Sequence, residues 1–136
     1  MSINITDLPP GPTGVRVGDN VSWRPPQRLS GNLAPGKVAV AGDTNGVVVN
    51  VLGAGRIRII AKYSVAGTLQ AKWRLADHIT DQATNQPNTV ALVANTENVL
   101  DITNNPGYAY LEVSILDGGT GGTVAYVDVV MNTPGN

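Results

Sequence analysis

The sequence predicts a single all-β domain, a β-sandwich of about eight strands with a jelly-roll-like arrangement. From residue 37 onward apolar and polar residues alternate with the period of two that is typical of strands. Clusters of Gly, Asn, Asp and Pro interrupt this alternation at regular intervals, and no segment carries the pattern of an amphipathic helix. The length of 136 residues suits one domain, which is large enough to bury a core without disulfides.

The first 36 residues differ from the rest because they contain six of the nine prolines. Proline supplies no backbone donor and fixes φ, so this stretch makes a poor central strand. We expect an extended Pro-rich arm and edge segment over residues 1–36, in which Val21 and Trp23 alternate as in a short edge strand. For residues 14–36 the alternative is a loop-rich cover over the chain's own core.

The strands of the first half follow in order along the chain. Residues 37–41 predict a short strand, residues 43–46 a turn, and residues 46–52 a strand that is apolar on both faces. Residues 56–63 alternate, and residues 68–75 give the clearest strand, with Trp73 on its core face. The opposite face of that strand points to solvent or to a partner and consists of Thr68, Gln70, Lys72 and Arg74.

The second half begins with residues 76–88, a polar and aperiodic stretch that predicts the longest loop. Four further strands are expected, at residues 89–94, 98–102, 108–116 and 123–131. The last two form a hairpin across residues 117–122, whose four glycines predict a flexible tip. The sandwich is therefore expected over residues 37–131, and residues 132–136 are expected to be a flexible tail.

Thiol and zinc chemistry are excluded by composition, because the chain has no Cys and His78 is its only His. A Ser-His-Asp triad would need His78 with Asp77 or Asp81, and no serine lies in a nucleophile elbow. His78 is therefore expected to be a surface residue.

Acidic and glycine-rich stretches predict no catalytic or phosphate site either. Glu97 and Glu112 are the only glutamates, and Asp101 is expected to face outward, so a catalytic carboxylate pair is not favoured. The glycines after Asp117 lack the Lys of a phosphate loop and join two strands. The acidic residues match no calcium loop. We expect no enzyme activity, no metal and no cofactor.

Charge narrows the possible partners. The net charge is −1 and the nine basic residues are scattered, which argues against a nucleic-acid partner. The longest apolar run, residues 47–52, is too short for a bilayer, and the first residues do not resemble a signal peptide. We expect no membrane association. We also expect that the protein is synthesised in a cytoplasm. Only 14% of residues are charged, which indicates either a surface covered by partners or a neutral polar surface.

Two groups of residues are candidates for partner binding. Trp23 stands beside Arg24 and two prolines, with Arg28 close by, and Trp and Arg are enriched at interface hot spots. The alternative is that Trp23 caps the core. Tyr108 and Tyr110 are expected to share an outer sheet face with Glu112 and Ser114. Such a face suits a subunit contact or sugar stacking, so a carbohydrate-binding module is the alternative function.

Residues 7–12, 104–113 and 118–130 carry a resemblance in style to a known group of proteins. In these stretches, and in its small size, lack of Cys and Pro-rich start, the chain resembles bacteriophage head decoration, or cement, proteins. The resemblance implies a jelly-roll-like sandwich on the outside of a virion, bound to the major capsid protein. It also implies a homo-oligomer, with a trimer favoured and a dimer possible. Residues 1–28 would then grip the capsid or a neighbouring subunit, and we select Leu8, Pro9 and Pro10 as contact residues.

Overall fold

The computed structural model describes residues 21–38, 46–75 and 88–134, the first and last two of these by their backbone alone. These residues form nine β-strands and a 3₁₀ turn at Gly31–Leu33. In the first sheet the strands are β1 (Val21–Trp23), β2 (Gln27–Arg28), β4 (Ile57–Tyr63), β7 (Glu97–Ile102) and β9 (Val124–Pro134). In the second sheet they are β3 (Val47–Asn50), β5 (Gly67–Arg74), β6 (Asn88–Leu92) and β8 (Tyr110–Leu116).

The order of the strands is that of a jelly roll. Apart from the two-residue β2, each sheet has four strands, in the orders β1-β9-β4-β7 and β3-β8-β5-β6. All their pairings are antiparallel, and chain neighbours such as β3 and β4 lie in different sheets. Two such sheets wound as paired Greek keys define the eight-stranded jelly roll. The predicted all-β, jelly-roll-like sandwich is therefore confirmed.

The core lies between the two sheets and is built by alternation along each strand. In β4 every second residue is buried, and in β8 of the other sheet five consecutive residues are buried. Trp73 is 7% exposed, as the pattern predicts. Fully burying a Val, Leu or Ile contributes roughly 1.5–3 kcal/mol, and both sheets supply such residues. The largest are Tyr63, Leu33, Ile57, Ile59, Leu69, Leu111 and Ile115.

Part of the predicted N-terminal arm belongs to the first sheet. Val21–Trp23 pairs with residues 132–134, and Gln27–Arg28 pairs with residues 128–129 of the same strand, β9. The edge strand predicted at Val21 and Trp23 is thus present. Leu29 and Leu33 are buried beneath it, which fits the alternative of a cover over the core for this part. Residues 1–20, with Leu8, Pro9 and Pro10, lie outside the described residues.

The end of the chain remains in the sheet beyond residue 131, where the sequence predicts a tail. β9 continues to Pro134, and Asn132 is 4% exposed. The side-chain Oδ1 of Asn132 accepts a hydrogen bond of 2.7 Å from the backbone N–H of Arg56. The strand extends because β1, which is distant in sequence, supplies a pairing partner for residues whose composition alone favours fraying.

The outer face of the second sheet differs from the prediction of a face open to solvent or a partner. Gln70 and Arg74 of β5 are buried, as are Glu112 and Ser114 of β8. The guanidinium of Arg74 pairs with the carboxylate of Glu112, and both side chains are less than a tenth exposed. The alternation is confirmed, but the assignment of its polar face to the surface is wrong, because Arg74 and Glu112 pair with each other in a buried layer.

Candidate interaction surface

The first sheet presents its polar side chains on the side away from the core, and we call this side the outer face. Alternation places them there, since their neighbours Ile57, Ile59, Val127 and Val129 point into the core. Strand pairing aligns the outer face in columns, with β7 at one edge, then β4, then β9, and β1 and β2 at the other edge. Its members are Glu97, Val99, Asp101, Arg58, Ile60, Lys62, Tyr126, Asp128, Val130, Trp23 and Arg28.

Arg58 is held between an aromatic ring and a carboxylate. Its guanidinium carbon lies 5.3 Å from the centroid of the Trp23 ring, which reaches over β9 from the sheet edge. Its Nε donates a hydrogen bond of 2.8 Å to Asp101 on β7. A cation on an indole ring contributes about 0.5–1 kcal/mol at an exposed site. The contacts therefore fix the position of Trp23 while leaving it 42% exposed.

Arg28, on β2 at the other edge of the outer face, is likewise held between a carboxylate and an aromatic ring. Its Nε and Nη2 donate to the two carboxylate oxygens of Asp128 at 2.8 and 3.0 Å. The same guanidinium lies 4.9 Å from the centroid of the Tyr126 ring, and the hydroxyl of Tyr126 donates to Glu97 at 2.8 Å. The hydrogen bond with Asp128 raises the pKa of Arg28, and the hydrogen bond with Glu97 raises the pKa of Tyr126.

These contacts make the outer face neutral and ordered before any partner binds. Three cations and three anions lie on it, and Val99, at 41% exposed, adds an apolar element. Aromatic rings and arginines whose side chains are already oriented lose little entropy on binding, which is the property of interface anchors. Chemically, the outer face offers oriented aromatic rings and ion pairs that can contact another macromolecule.

The structure brings two of the predicted partner-binding residues together and separates the others. Trp23 and Arg28 lie on the outer face. Arg24 is half-buried, because its Nη2 donates to the carbonyl oxygen of Leu52 at 3.3 Å and its Nη1 lies 3.9 Å from the sulfur of Met131. The indole of Trp23 is 42% exposed and also contacts Arg58 of its own sheet, and its role in partner binding stays a prediction.

Tyr108 and Tyr110 belong to the other sheet, and their predicted shared face is wrong. The ring of Tyr108 stacks on Trp73 with 5.5 Å between centroids and 23° between planes, so it packs against the core. Tyr110 is half-buried and pairs across the sheet with Arg74. The chain bends before β8 begins, and for that reason alternation does not continue back from Tyr110 to Tyr108.

Sequence reasoning missed most of the outer face. Asp101 was expected to face outward, and it does. Arg58, Tyr126 and Asp128 also alternate with core residues and could have been placed outward by the same rule. Nothing in the sequence indicates that β2 pairs with β9, and this pairing is what brings Arg28 to Asp128.

The glycine-rich loop after β8 is not a phosphate site. The carboxylate of Asp117 accepts the backbone N–H groups of Gly119, Gly121 and Gly122 at 2.9–3.0 Å, and the hydroxyl of Tyr63 at 2.6 Å. The bond from Tyr63 and those from the glycine amides lower the pKa of Asp117. Burial and the bond to Asp117 raise the pKa of Tyr63. The loop joins strands of different sheets, so the predicted hairpin of β8 and β9 is wrong, and its predicted flexible tip instead folds around the chain's own anion.

Metal-binding groups and membrane-spanning helices can be assessed for the residues that the structure describes. No group of three or more His, Cys, Asp or Glu side chains that could bind a metal occurs within residues 21–38, 46–75 and 88–134. In the same ranges no helix has the length and hydropathy needed to cross a bilayer. His78 and Asp77, with the rest of the loop at residues 76–87, lie outside the described residues.

Comparisons with known proteins found similar chains among the solved structures. No family model matches the sequence, and no curated protein matches it. Among solved structures, the coat protein of tobacco streak virus is similar over 88% of this chain and 90% of that chain, with 11% sequence identity and a TM-score of 0.47. This chain thus has a viral coat protein among its structural neighbours.

Proposed function

We propose that this protein is a structural, non-enzymatic component of a bacteriophage virion, which binds the outside of the capsid and cements neighbouring subunits of the major capsid protein. The observation that carries the proposal is the outer face, where Trp23 and Arg28 are held in position by Arg58 and Asp128. A jelly roll with such a neutral, aromatic face is suited to contact between proteins.

The low charge of the outer face supports a packing role. Isolated charges are costly to remove from water, whereas Arg58 and Arg28 already have carboxylate partners at 2.8 Å. A partner can therefore cover these two arginines without leaving either of them unpaired. The Pro-rich residues 1–28 add a second means of attachment, in which Leu8, Pro9 and Pro10 contact the capsid.

Oligomerisation would strengthen this attachment. A homo-oligomer, the trimer favoured by the resemblance or a dimer, presents several copies of the same surface to the repeating capsid lattice. Linked contacts of modest affinity then bind far more tightly than any single one. In this proposal the protein remains on the virion surface after synthesis in the host cytoplasm.

The carbohydrate-binding alternative is less well supported by the aromatic side chains. Sugar stacking needs an open ring, and Trp73 is buried beneath Tyr108. The rings of Trp23 and Tyr126 each have an arginine over them. Tyr110 remains, and it is half-buried.

Binding to particles tests the proposal. Capsids of the phage that encodes the chain, prepared without this protein, are mixed with the purified protein and sedimented. We expect the wild type to sediment with the capsids, a variant lacking residues 1–13 to remain in solution, and Trp23→Ala to lose at least tenfold in affinity. Thr89→Glu, which alters an exposed residue on β6 of the second sheet, is the control and should bind normally.

Circular dichroism spectra and unfolding temperatures identify any variant that has lost its fold. If the folded wild type does not sediment with capsids, the proposed function is wrong. If the truncated chain binds as well as the wild type, the role given to residues 1–13 is wrong.

A further inference from the structure

The charges on the outer face follow a regular order across the sheet. The column of β7 is acidic, with Glu97 and Asp101, and the column of β4 is basic, with Arg58 and Lys62. The column of β9 carries Asp128, and that of β2 carries Arg28. The sign therefore alternates from one edge to the other as negative, positive, negative, positive.

Because the number of columns is even and their signs alternate, reading the columns in reverse order gives the opposite sign at every position. Reversal occurs if two copies stack their outer faces about a two-fold axis that runs parallel to the strands, between β4 and β9. The column of β7 then lies over that of β2, and the column of β4 over that of β9, so each column meets opposite charge. A two-fold axis perpendicular to the strands would instead place every column on itself, with like charge on like.

Pairing along the strands gives the same result in more detail. Val99, Ile60, Asp128 and Arg28 form one row across the sheet, because Ile60 pairs with both Val99 and Asp128, and Asp128 pairs with Arg28. Reversal of this row sets Arg28 over Val99 of the second copy, between the two carboxylates of β7. It likewise sets Asp128 over Ile60, between the two cations of β4.

From this pattern we infer that the outer face is a self-association surface that binds the outer face of a second copy of this chain about a two-fold axis parallel to its strands. The inference rests on the charge order alone and does not depend on a virion role; since a capsid and a second copy would cover the same face, the two bind in competition. Aligned sheets cross at about 30°, which keeps the columns in contact over the three rows of the face.

The size of the outer face sets the expected affinity. Four strands spaced about 4.8 Å apart and three rows about 6.8 Å apart cover roughly 400 Å². Stable interfaces bury about 800 Å² on each partner, so the pair is a weak dimer with a Kd in the micromolar range. Because the charges are exposed, the Kd should rise when salt shortens the Debye length from about 10 Å at 0.1 M to about 3 Å at 1 M.

Charge reversal with complementation tests the inference. One variant, Glu97→Lys with Asp101→Lys, makes the β7 column basic, and the other, Arg28→Glu, makes the β2 column acidic. In a dimer of either variant alone, the β7 column of each copy faces a β2 column of like charge. We therefore expect the dimer Kd of each variant to rise at least tenfold. In an equimolar mixture both contacts are again between opposite charges, so the mixed dimer should form with nearly the wild-type Kd.

The measurement is sedimentation equilibrium of the full chain over a range of concentrations at 0.1 M salt. Thr89→Glu adds a negative charge at an exposed site on β6 of the second sheet, and it should leave the Kd unchanged. Unfolding temperatures verify that each variant is folded. A wild type that is monomeric at several hundred micromolar refutes the inference, and so does a trimer whose mass the reversals leave unaltered. Reversed variants that lose the dimer but do not recover it when mixed also refute it.

Discussion

Removing the carboxylate of Asp117 perturbs the loop that joins β8 to β9. In Asp117→Ala three backbone N–H groups and the hydroxyl of Tyr63 lose their common acceptor. Gly119 and Gly121 are exposed, so water can replace the carboxylate there. Gly122 and Tyr63 are buried, and their donors would remain without a partner.

The cost can be worked out from these two buried donors. A buried group without a hydrogen-bond partner costs about 1–3 kcal/mol. Because Asp117 is half-exposed and water can enter when it is removed, we take the lower half of that range for each donor. At about 1–2 kcal/mol for each of the two donors, the expected loss is about 2–4 kcal/mol in the free energy of unfolding. A Cβ at Gly122 would lie 2.6 Å from the Tyr63 ring, so the loop has little freedom to rearrange around it.

The assay is urea unfolding of the wild type and Asp117→Ala at several pH values. The pKa of Asp117 is lowered in the folded protein, so its ionised form stabilises the fold above the unfolded pKa of about 3.9. That stabilisation is lost as the pH falls through the lowered folded pKa. The difference between the two proteins should therefore be largest near neutral pH and decrease in acid.

The control is Asp101→Ala, which removes an exposed carboxylate paired with Arg58. Such a pair contributes about 0–1 kcal/mol, so this variant should remain close to the wild type. A difference below about 0.5 kcal/mol for Asp117→Ala at neutral pH would refute the reasoning. A difference that stays constant from neutral to acid pH would refute the part played by the charge.

Three further substitutions have expected costs. Asn105→Ala should lose about 2–3 kcal/mol in urea unfolding, because this side chain donates to the carbonyls of Ala54 and Tyr108 at 3.0–3.1 Å and accepts two N–H groups. Glu112→Gln should lose about 3–5 kcal/mol by the same assay, since it removes the negative charge beside the buried guanidinium of Arg74. Gly67→Ala should lower the melting temperature, because its Cβ would lie 2.6 Å from the carbonyl oxygen of Leu116; an unchanged melting temperature would contradict this close approach.

The fold was predictable because its strands carry their own signal. Alternation marked β4, β5, β8 and β9 to within a few residues, and turn residues separated them. The exceptions are places where distant chain segments decide the outcome. Pro134 stays in a strand because β1 pairs with it, and the sequence near residue 134 contains no trace of that partner.

The candidate site was predictable only in part, for a related reason. Composition pointed to Trp23 and Arg28, since their residue types are typical of interfaces. Alternation distinguishes the two faces of a strand, but it does not distinguish an open polar face from a buried one. Glu112 and Asp128 both alternate with core residues, yet Glu112 is 3% exposed and Asp128 is half-exposed.

The polar faces of the two sheets therefore differ in burial. In the second sheet the polar face is a buried layer around the Arg74–Glu112 pair, so its polar groups contribute to the interior. In the first sheet the same kinds of groups form pairs that remain half-exposed, with Trp23 at the edge. Exposed pairs contribute little to stability, so the fold does not require five oriented charges and two oriented rings on that face. A binding role gives them a reason to be there, and exchanging their signs in matched pairs separates that role from stability.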